Sequence, residues 1–218
     1  MKYDEEIMKD FWETFDLSYS HIVLKGGLEY LVRGWERDFI RFYDLENKNV
    51  ADYGCGGGYL GMHLLSNHNI NKYKAIDISQ RSLDYSSKNL ESYKDKTSFY
   101  LTPVDFSELE VDVFISLACI QHFHSREYLI SFLENLNTSE IPELMLQIRN
   151  DEDTLFVGEG GWVDELVSER DAYYERSRLC HTNKDFLLEH LTNYELTLDR
   201  HGITNTDYQF IGFKRKGD

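Results

Sequence analysis

The sequence predicts an α/β fold built on a mostly parallel sheet, and three observations carry that expectation. Apolar strand-like stretches alternate with helical ones through the middle of the chain. One of those strands runs straight into a glycine-rich loop and then a helix. The chain then ends on two strand-like stretches around a turn. Parallel neighbours need a crossover, usually a helix, so the alternation implies βαβ units, while a terminal hairpin adds antiparallel pairing.

Two helices come first. Ile7, Met8, Phe11, Trp12 and Phe15 share one face at helical spacing, and Leu28, Leu31, Val32, Trp35, Phe39 and Phe42 repeat the pattern, so both helices precede the first strand. NVADYG at 49–54 reads as a strand, YLGMHLLSNH at 59–68 as a helix and YKAID at 73–77 as a strand. A helix runs from Ser79 to about Ser92, followed by the strands TSFYLT at 97–102 and DVFISLA at 112–118. Ser125 starts a helix carrying Tyr128, Leu129, Phe132, Leu133 and Leu136, and Pro142 opens the strand ELMLQIR. Asp151 to Leu179 breaks the rhythm with Gly158, Gly160, Gly161, Trp162 and many charges, as an insertion above the sheet would. Thr182 with Asp185 three residues on reads as a capping box for a helix to about Asn193. The strands Tyr194 to His201 and Tyr208 to Arg215 flank a turn containing Gly202 and Asn205.

Composition narrows the function. A chain of 218 residues that is 41% hydrophobic buries enough surface for one domain. Its 39 acidic and 23 basic residues give a net charge of −16, which repels a phosphate backbone, and the densest basic cluster, Lys214 to Lys216, suits the protection of an edge strand. Nucleic acid is therefore not the expected partner. Cys55, Cys119 and Cys180 lack the spacing of a zinc or iron–sulfur site, which fits a reducing cytoplasm. The opening MKYDEEIMKD is acidic where a signal peptide is basic, and the longest apolar run, Val113 to Ile120, is too short to span a bilayer, so a cytoplasmic protein without a membrane partner is expected.

The segment Val50-Ala51-Asp52-Tyr53-Gly54-Cys55-Gly56-Gly57-Gly58 carries the chemistry. Glycines between a strand and a helix let the backbone approach a ligand closely and leave the helix N–H groups facing it. A tight turn needing positive φ selects glycine too. A nicotinamide loop of G-x-G-x-x-G form would require glycine at position 59, where Tyr59 stands, so the spacing is G-x-G-x-G. Asp52, an acid two residues before the first glycine, suits a cationic ligand and would repel a diphosphate.

This segment resembles motif I of the class I S-adenosylmethionine-dependent methyltransferases, with an aromatic Tyr53 as a small departure. The resemblance implies a Rossmann-like methyltransferase fold: a mostly parallel seven-stranded sheet with an antiparallel C-terminal strand, an N-terminal helical cover and an insertion after the fifth strand. It implies one domain, with the cover at 1–47, the cofactor-binding core at 48–150, the substrate-side insertion at 151–181 and the last helix and hairpin at 182–218. S-adenosyl-L-methionine is the implied cofactor, with Asp52, Gly54, Cys55, Gly56 and Gly58 around its methionine part. Asp77 ends a strand nineteen residues after Gly58, near the usual spacing of a ribose-binding carboxylate, with Ile78 beside it. Asp105 occupies the place of an adenine-binding acid, Phe106 is available to pack on the ring, and Leu117 lines the pocket from the fourth strand. Asp105 reads equally well as a loop or cap residue, and Asp112 competes with it.

Methyl transfer from a sulfonium is an in-line displacement, so the enzyme mainly aligns nucleophile and methyl and excludes water. A hydroxyl acceptor must also lose a proton, and His122, after the fourth strand, is the candidate base. A histidine here also serves simply to cap or pack on the next helix. His122 and His124 lack further ligands, so no metal is expected. Amide and nucleobase methyltransferases typically carry Asp/Asn-Pro-Pro-aromatic at this point, whereas the chain's two prolines are Pro103 and Pro142. The carboxylate cluster of the magnesium-dependent catechol type is missing as well. Arg149, Arg176 and Arg178 are placed to hold an anionic substrate. Tyr19, Tyr30, Arg33 and Arg37 precede the first strand, where similar enzymes use an aromatic or basic group to cover the cofactor's methionine end, so one or more of these four is implied in that role. The expected function is O-methylation of a small, anionic acceptor. N-methylation of a small amine and a catalytically silent binding subunit are the alternatives.

Overall fold

The computed structural model describes residues 5–14, 27–123, 125–149, 155–156, 180–202 and 208–217. Helices α1 (Glu5–Thr14) and α2 (Gly27–Asp38) precede β1 (Asn49–Tyr53), α3 (Tyr59–Asn67), β2 (Lys72–Asp77), α4 (Gln80–Asn89), β3 (Thr97–Leu101) and β4 (Val113–Ser116). Helix α5 (Arg126–Thr138), β5 (Glu143–Arg149), β6 (Leu155–Phe156), β7 (Cys180–His181), α6 (Lys184–His190), β8 (Tyr194–His201) and β9 (Tyr208–Arg215) complete the order. The main sheet has seven strands in the order β3-β2-β1-β4-β5-β9-β8. Pairing is parallel from β3 to β5, and β9 runs antiparallel to both β5 and β8.

Strand alternation sends side chains to two cores. Ala51, Tyr53, Phe114, Leu144, Leu146, Ile211 and Phe213 face Leu129, Phe132, Leu133 and Leu136 of α5 and Leu187 of α6. Val50, Tyr73, Ala75, Val113, Ile115 and Met145 face Val32 and Trp35 of α2, Leu60 and Leu64 of α3 and Leu83 of α4. A central strand covered on both faces reads as the near-continuous apolar run seen at 113–117.

Three local expectations are corrected. The helix expected from Leu28 to Phe42 stops at Asp38, and a 3-10 turn follows at Ile40–Phe42. Phe42 consequently leaves the core face and sits 46% exposed, with the guanidiniums of Arg41 and Arg200 at 4.8 and 4.5 Å from its ring centre. The sixth helix is capped by Asn183, whose side chain accepts from Phe186 N at 2.9 Å. Thr182 is still held to the sheet, its N–H donating to the carbonyl of Arg149 at 3.1 Å, so helical geometry begins one residue later than the capping box suggested. That helix ends at His190 rather than Asn193, whose amides bond back to Asn137. The ends of the insertion pair with each other, Leu155 with His181 and Phe156 with Cys180, just beyond β5. Residues 157–179 lie outside the described residues.

Candidate functional site

The C-terminal ends of β1, β2, β4 and β5 meet at one sheet edge, and the glycine loop opens there. Gly54, Gly56 and Gly58 all have positive φ, at +78°, +49° and +75°, a region closed to most L side chains. Two of them are also required by crowding. A Cβ on Gly54 would lie 2.3 Å from Cys119 Sγ, and one on Gly58 would lie 2.3 Å from Ser86 Oγ. Gly56 differs, because no heavy atom lies within 4 Å of where its Cβ would stand. The loop crest is thus open while its two feet are tightly packed. Gly54 N and Cys55 N both donate to Ile76 O, and Asn89 Nδ2 donates to Gly57 O, so β2 and α4 hold the loop.

Two buried carboxylates stand at the ends of β1 and β2. Asp77 Oδ2 accepts from Gly56 N at 2.9 Å and Oδ1 from Ser79 N at 3.0 Å, which ties the loop to the start of α4. Burial raises its pKa to about 6 even though these backbone N–H groups favour the charged form. Asp52 is 2% exposed and accepts a hydrogen bond from the Tyr73 hydroxyl. Burial drives its pKa up to about 7, partly offset by Tyr73 and reinforced by the negative charge of Asp77. The helix α4 is capped by Ser79, whose Oγ accepts from Ser82 N at 3.1 Å, so Asp77 is not its cap. Cys55 is buried, and Ile78 half-buried, at the same edge.

On the other side, Leu117 is buried and Ala118 has φ +53°, an uncommon conformation for a non-glycine residue. Its N–H donates to Gln147 Oε1 of β5 at 3.0 Å, which holds the chain as it leaves β4. His122 ends the 3-10 turn Ile120–His122 and is half-buried. The Trp12 ring of α1 meets its imidazole edge to face, with centroids 5.0 Å apart. Helix α1 docks on α4 as well: Glu13 accepts from Gln80 N at 2.6 Å and Arg81 N at 3.3 Å, and Arg81 donates back to the carbonyls of Glu13 and Thr14. The N-terminal cover therefore touches both the Asp77 side and the His122 side of the edge.

Other residues singled out from sequence fare differently. Asp105 is exposed and caps a short turn, accepting from Ser107 N at 2.9 Å and Oγ at 2.7 Å, and these bonds hold its carboxyl below the usual range. Phe106 is not available to an adenine ring, because its side chain is buried against Tyr53, Phe114 and Phe132. Asp112 accepts from Asn49 N at 2.7 Å at the opposite end of β1. Arg149 ends β5 half-buried, while Arg37 forms a two-pronged ion pair with Asp38 at 2.6 and 2.8 Å. Tyr19, His124, Arg176 and Arg178 lie outside the described residues, as does the side chain of Tyr30. Sequence reasoning passed over Tyr73, Asn89 and Cys119, which meet Asp52 and the glycine loop, and Gln147, which holds the chain leaving β4, all through contacts between distant segments.

Residues 20–116 match the family described as "Methyltransferase small domain". Among solved structures, magnesium protoporphyrin IX methyltransferase from Synechocystis PCC 6803, with S-adenosylhomocysteine bound, superposes with a TM-score of 0.66 at 13% identity, covering 98% of this chain and 100% of that one. This is the class I methyltransferase fold. The glycine loop and Asp77 occupy the crevice outside the carboxyl ends of its strands, where open α/β sheets bind ligands. A ribosomal protein L11 methyltransferase from Shewanella sp. (strain W3-18-1) is 35% identical over 75 residues, 34% of this chain and 25% of that protein. The release factor glutamine methyltransferase of Buchnera aphidicola subsp. Baizongia pistaciae is 31% identical over 104 residues, 47% of this chain and 36% of its own length. The matches thus span only about a quarter to a third of these curated relatives.

Proposed function

We propose that the protein transfers a methyl group from S-adenosylmethionine to a small molecule, most simply through oxygen. The observation that carries this reading is the open crest at Gly56, held by the buried carboxylate of Asp77, with a second buried acid, Asp52, in the strand that leads into the loop. Such a cradle accepts a close ligand, and its acidity suits a ligand bearing ammonium, sulfonium and ribose hydroxyls rather than a diphosphate. S-Adenosylmethionine supplies an electrophilic methyl group. The chain's part is to grip, orient and exclude water: Asp77 accepts the ribose hydroxyls, Gly54, Gly56 and Gly58 admit the methionine part, and Asp52 sets the loop. Cys55, Ile78 and Leu117 line it, and the turn at Asp105 borders the adenine end. His122 takes the proton of a hydroxyl acceptor.

The substrate class rests on the segment that leaves β4. The family match ends at Ser116, and Ser116 to His122 contains no proline and no Asp or Asn, unlike the Asp/Asn-Pro-Pro-aromatic pattern of amide methyltransferases. This speaks against the glutamine amide named for the release-factor relative and fits the small acceptor. Arg149 at the end of β5, beside the foot of the insertion, supports an anionic acceptor, and Arg176, Arg178 and Tyr19, which lie outside the described residues, are the further substrate-binding candidates that the sequence offers. The net charge of −16 favours the second reading, a small amine methylated on nitrogen.

The test is direct. S-Adenosylhomocysteine should raise the melting temperature and NAD should not. Methyl-labelled S-adenosylmethionine, offered with small hydroxy acids, phenols and amines beside a ribosome and release-factor fraction, should place label in the small molecules. Absence of S-adenosylhomocysteine binding in calorimetry with a folded sample removes the methyltransferase reading. Label confined to protein replaces the small-molecule one.

A further inference from the structure

Away from the sheet edge that holds the glycine loop, three side chains from two helices converge on one point. Glu36 of α2 places a single carboxylate oxygen, Oε2, 2.9 Å from His63 Nε2 and 2.9 Å from His68 Nε2. His63 lies within α3, and His68 is the residue that caps its C-terminal end. The two imidazoles stand 5.7 Å apart at 64°. All three donor atoms fall within 4.8 Å of one another, and each side chain is only partly exposed, at 31% for Glu36, 19% for His63 and 22% for His68. His63 and His68 stand five and ten residues beyond Gly58, roughly 7.5 and 15 Å along the helix axis, so the cluster lies toward the end of α3 that points away from the glycine loop.

We propose that Glu36, His63 and His68 form a zinc site that clamps the N-terminal helix α2 to α3. Two imidazole nitrogens and one carboxylate oxygen are a donor set that suits zinc and other late first-row cations, whereas magnesium and calcium take oxygen ligands. Tetrahedral zinc with bonds of about 2.0–2.2 Å needs its donors about 3.3 Å apart. Glu36 has to retreat from each imidazole by a few tenths of an ångström, and the two imidazole nitrogens, within 4.8 Å of each other, have to settle at that same spacing, changes that side-chain torsions supply.

The proton arrangement also has to change on binding. Without metal, each Nε2 donates its proton to Glu36, and Asn67 Nδ2, 3.2 Å from His63 Nδ1, favours that tautomer. Metal binding moves the ring proton to Nδ1 or releases it, so the exposed Asn67 amide turns away or presents its oxygen. Three protein ligands leave the fourth position to water. The sequence gives little sign of such a site, because Glu36 lies twenty-seven residues before His63 and the pair matches no ligand-spacing motif.

The experiment titrates the tag-free full chain, stripped with chelator, with Zn²⁺ by calorimetry, and with Co²⁺ by visible absorption. One equivalent of zinc should bind and raise the melting temperature. Cobalt should give the intense bands of a four-coordinate site without thiolate charge transfer, since the donor cluster consists of Glu36, His63 and His68 and contains no cysteine. Glu36→Gln, His63→Gln and His68→Gln should each weaken zinc binding at least tenfold, with magnesium ineffective throughout. If a variant fails to fold, the cobalt spectrum of the unmodified chain decides. Absence of zinc binding, a purely octahedral cobalt spectrum, or zinc affinity unchanged in folded variants overturns the proposal. S-Adenosylhomocysteine binding, measured in parallel, reports on the methyltransferase reading independently.

Discussion

At the level of single residues, the site rests on groups whose chemistry is set by what buries them. Asp77 accepts one backbone N–H on each carboxylate oxygen, so Asp77→Asn keeps the size while losing the charge and one of these two bonds. We expect S-adenosylhomocysteine affinity to fall ten- to a hundredfold, about 1–3 kcal/mol, the scale of charge-assisted bonds; an unchanged dissociation constant in calorimetry moves the ribose contact elsewhere. Ligand binding to the ionised acid also means that affinity in the unmodified protein rises with pH through about 6. For His122 the expected loss on substitution by alanine is about 10²–10⁴-fold in kcat with little change in cofactor affinity, and the acidic limb of the pH–rate profile should disappear. Near-normal turnover would leave the ring with its packing against Trp12 as its role. Arg149→Lys should raise KM for an anionic acceptor strongly, because an ammonium cannot reproduce the two-pronged fork; steady-state kinetics showing an unchanged KM would favour the amine reading. The glycine loop and the place of Asp77 at the end of β2 were legible in sequence because both depend on local spacing. Phe106 was misjudged because burial of its ring in the Tyr53–Phe114–Phe132 cluster depends on partners far along the chain.

Elements were readable where the apolar period was unbroken and capping was local. Strands β1 to β5 and the caps Ser79 and Ser125 fall where alternation and side-chain oxygens put them. The sixth helix shows the limit, since Thr182 and Asn183 are both competent caps and the choice was made by the bond from Thr182 N to the end of β5. Asn183→Ala should therefore lower stability by about 1 kcal/mol in denaturant unfolding. An effect within a few tenths would deny the cap its role. Helix α1 is placed by tertiary contact rather than by propensity: Glu13 meets the first N–H groups of α4, where the helix dipole favours an anion, and Trp12 meets His122.

Across the whole molecule, acidity and burial together set the response to pH. Asp52 and Asp77 have folded pKa values of about 7 and about 6 against an ordinary 3.8, so the folded state binds more protons than the unfolded one in between. Their contribution to stability is present below the unfolded value and is lost as pH rises through 6 to 7. The ligand-free protein should therefore melt at a lower temperature at about pH 8 than at about pH 5.5, and Asp52→Asn should flatten that dependence. A slope unchanged in the variant would assign the effect to other groups. Among the described residues no helix is long and apolar enough to cross a membrane. By itself the sequence determined the α/β class, the glycine loop, the strand-end acid Asp77 and the antiparallel closing strand, because each is written in short-range spacing or alternation. Only the tertiary structure decided which groups surround those acids, that Phe106 belongs to the core, that α1 closes over the sheet edge, and that Glu36 meets His63 and His68. Such meetings depend on chain segments brought together by burial of two sheet faces, and no local pattern encodes them.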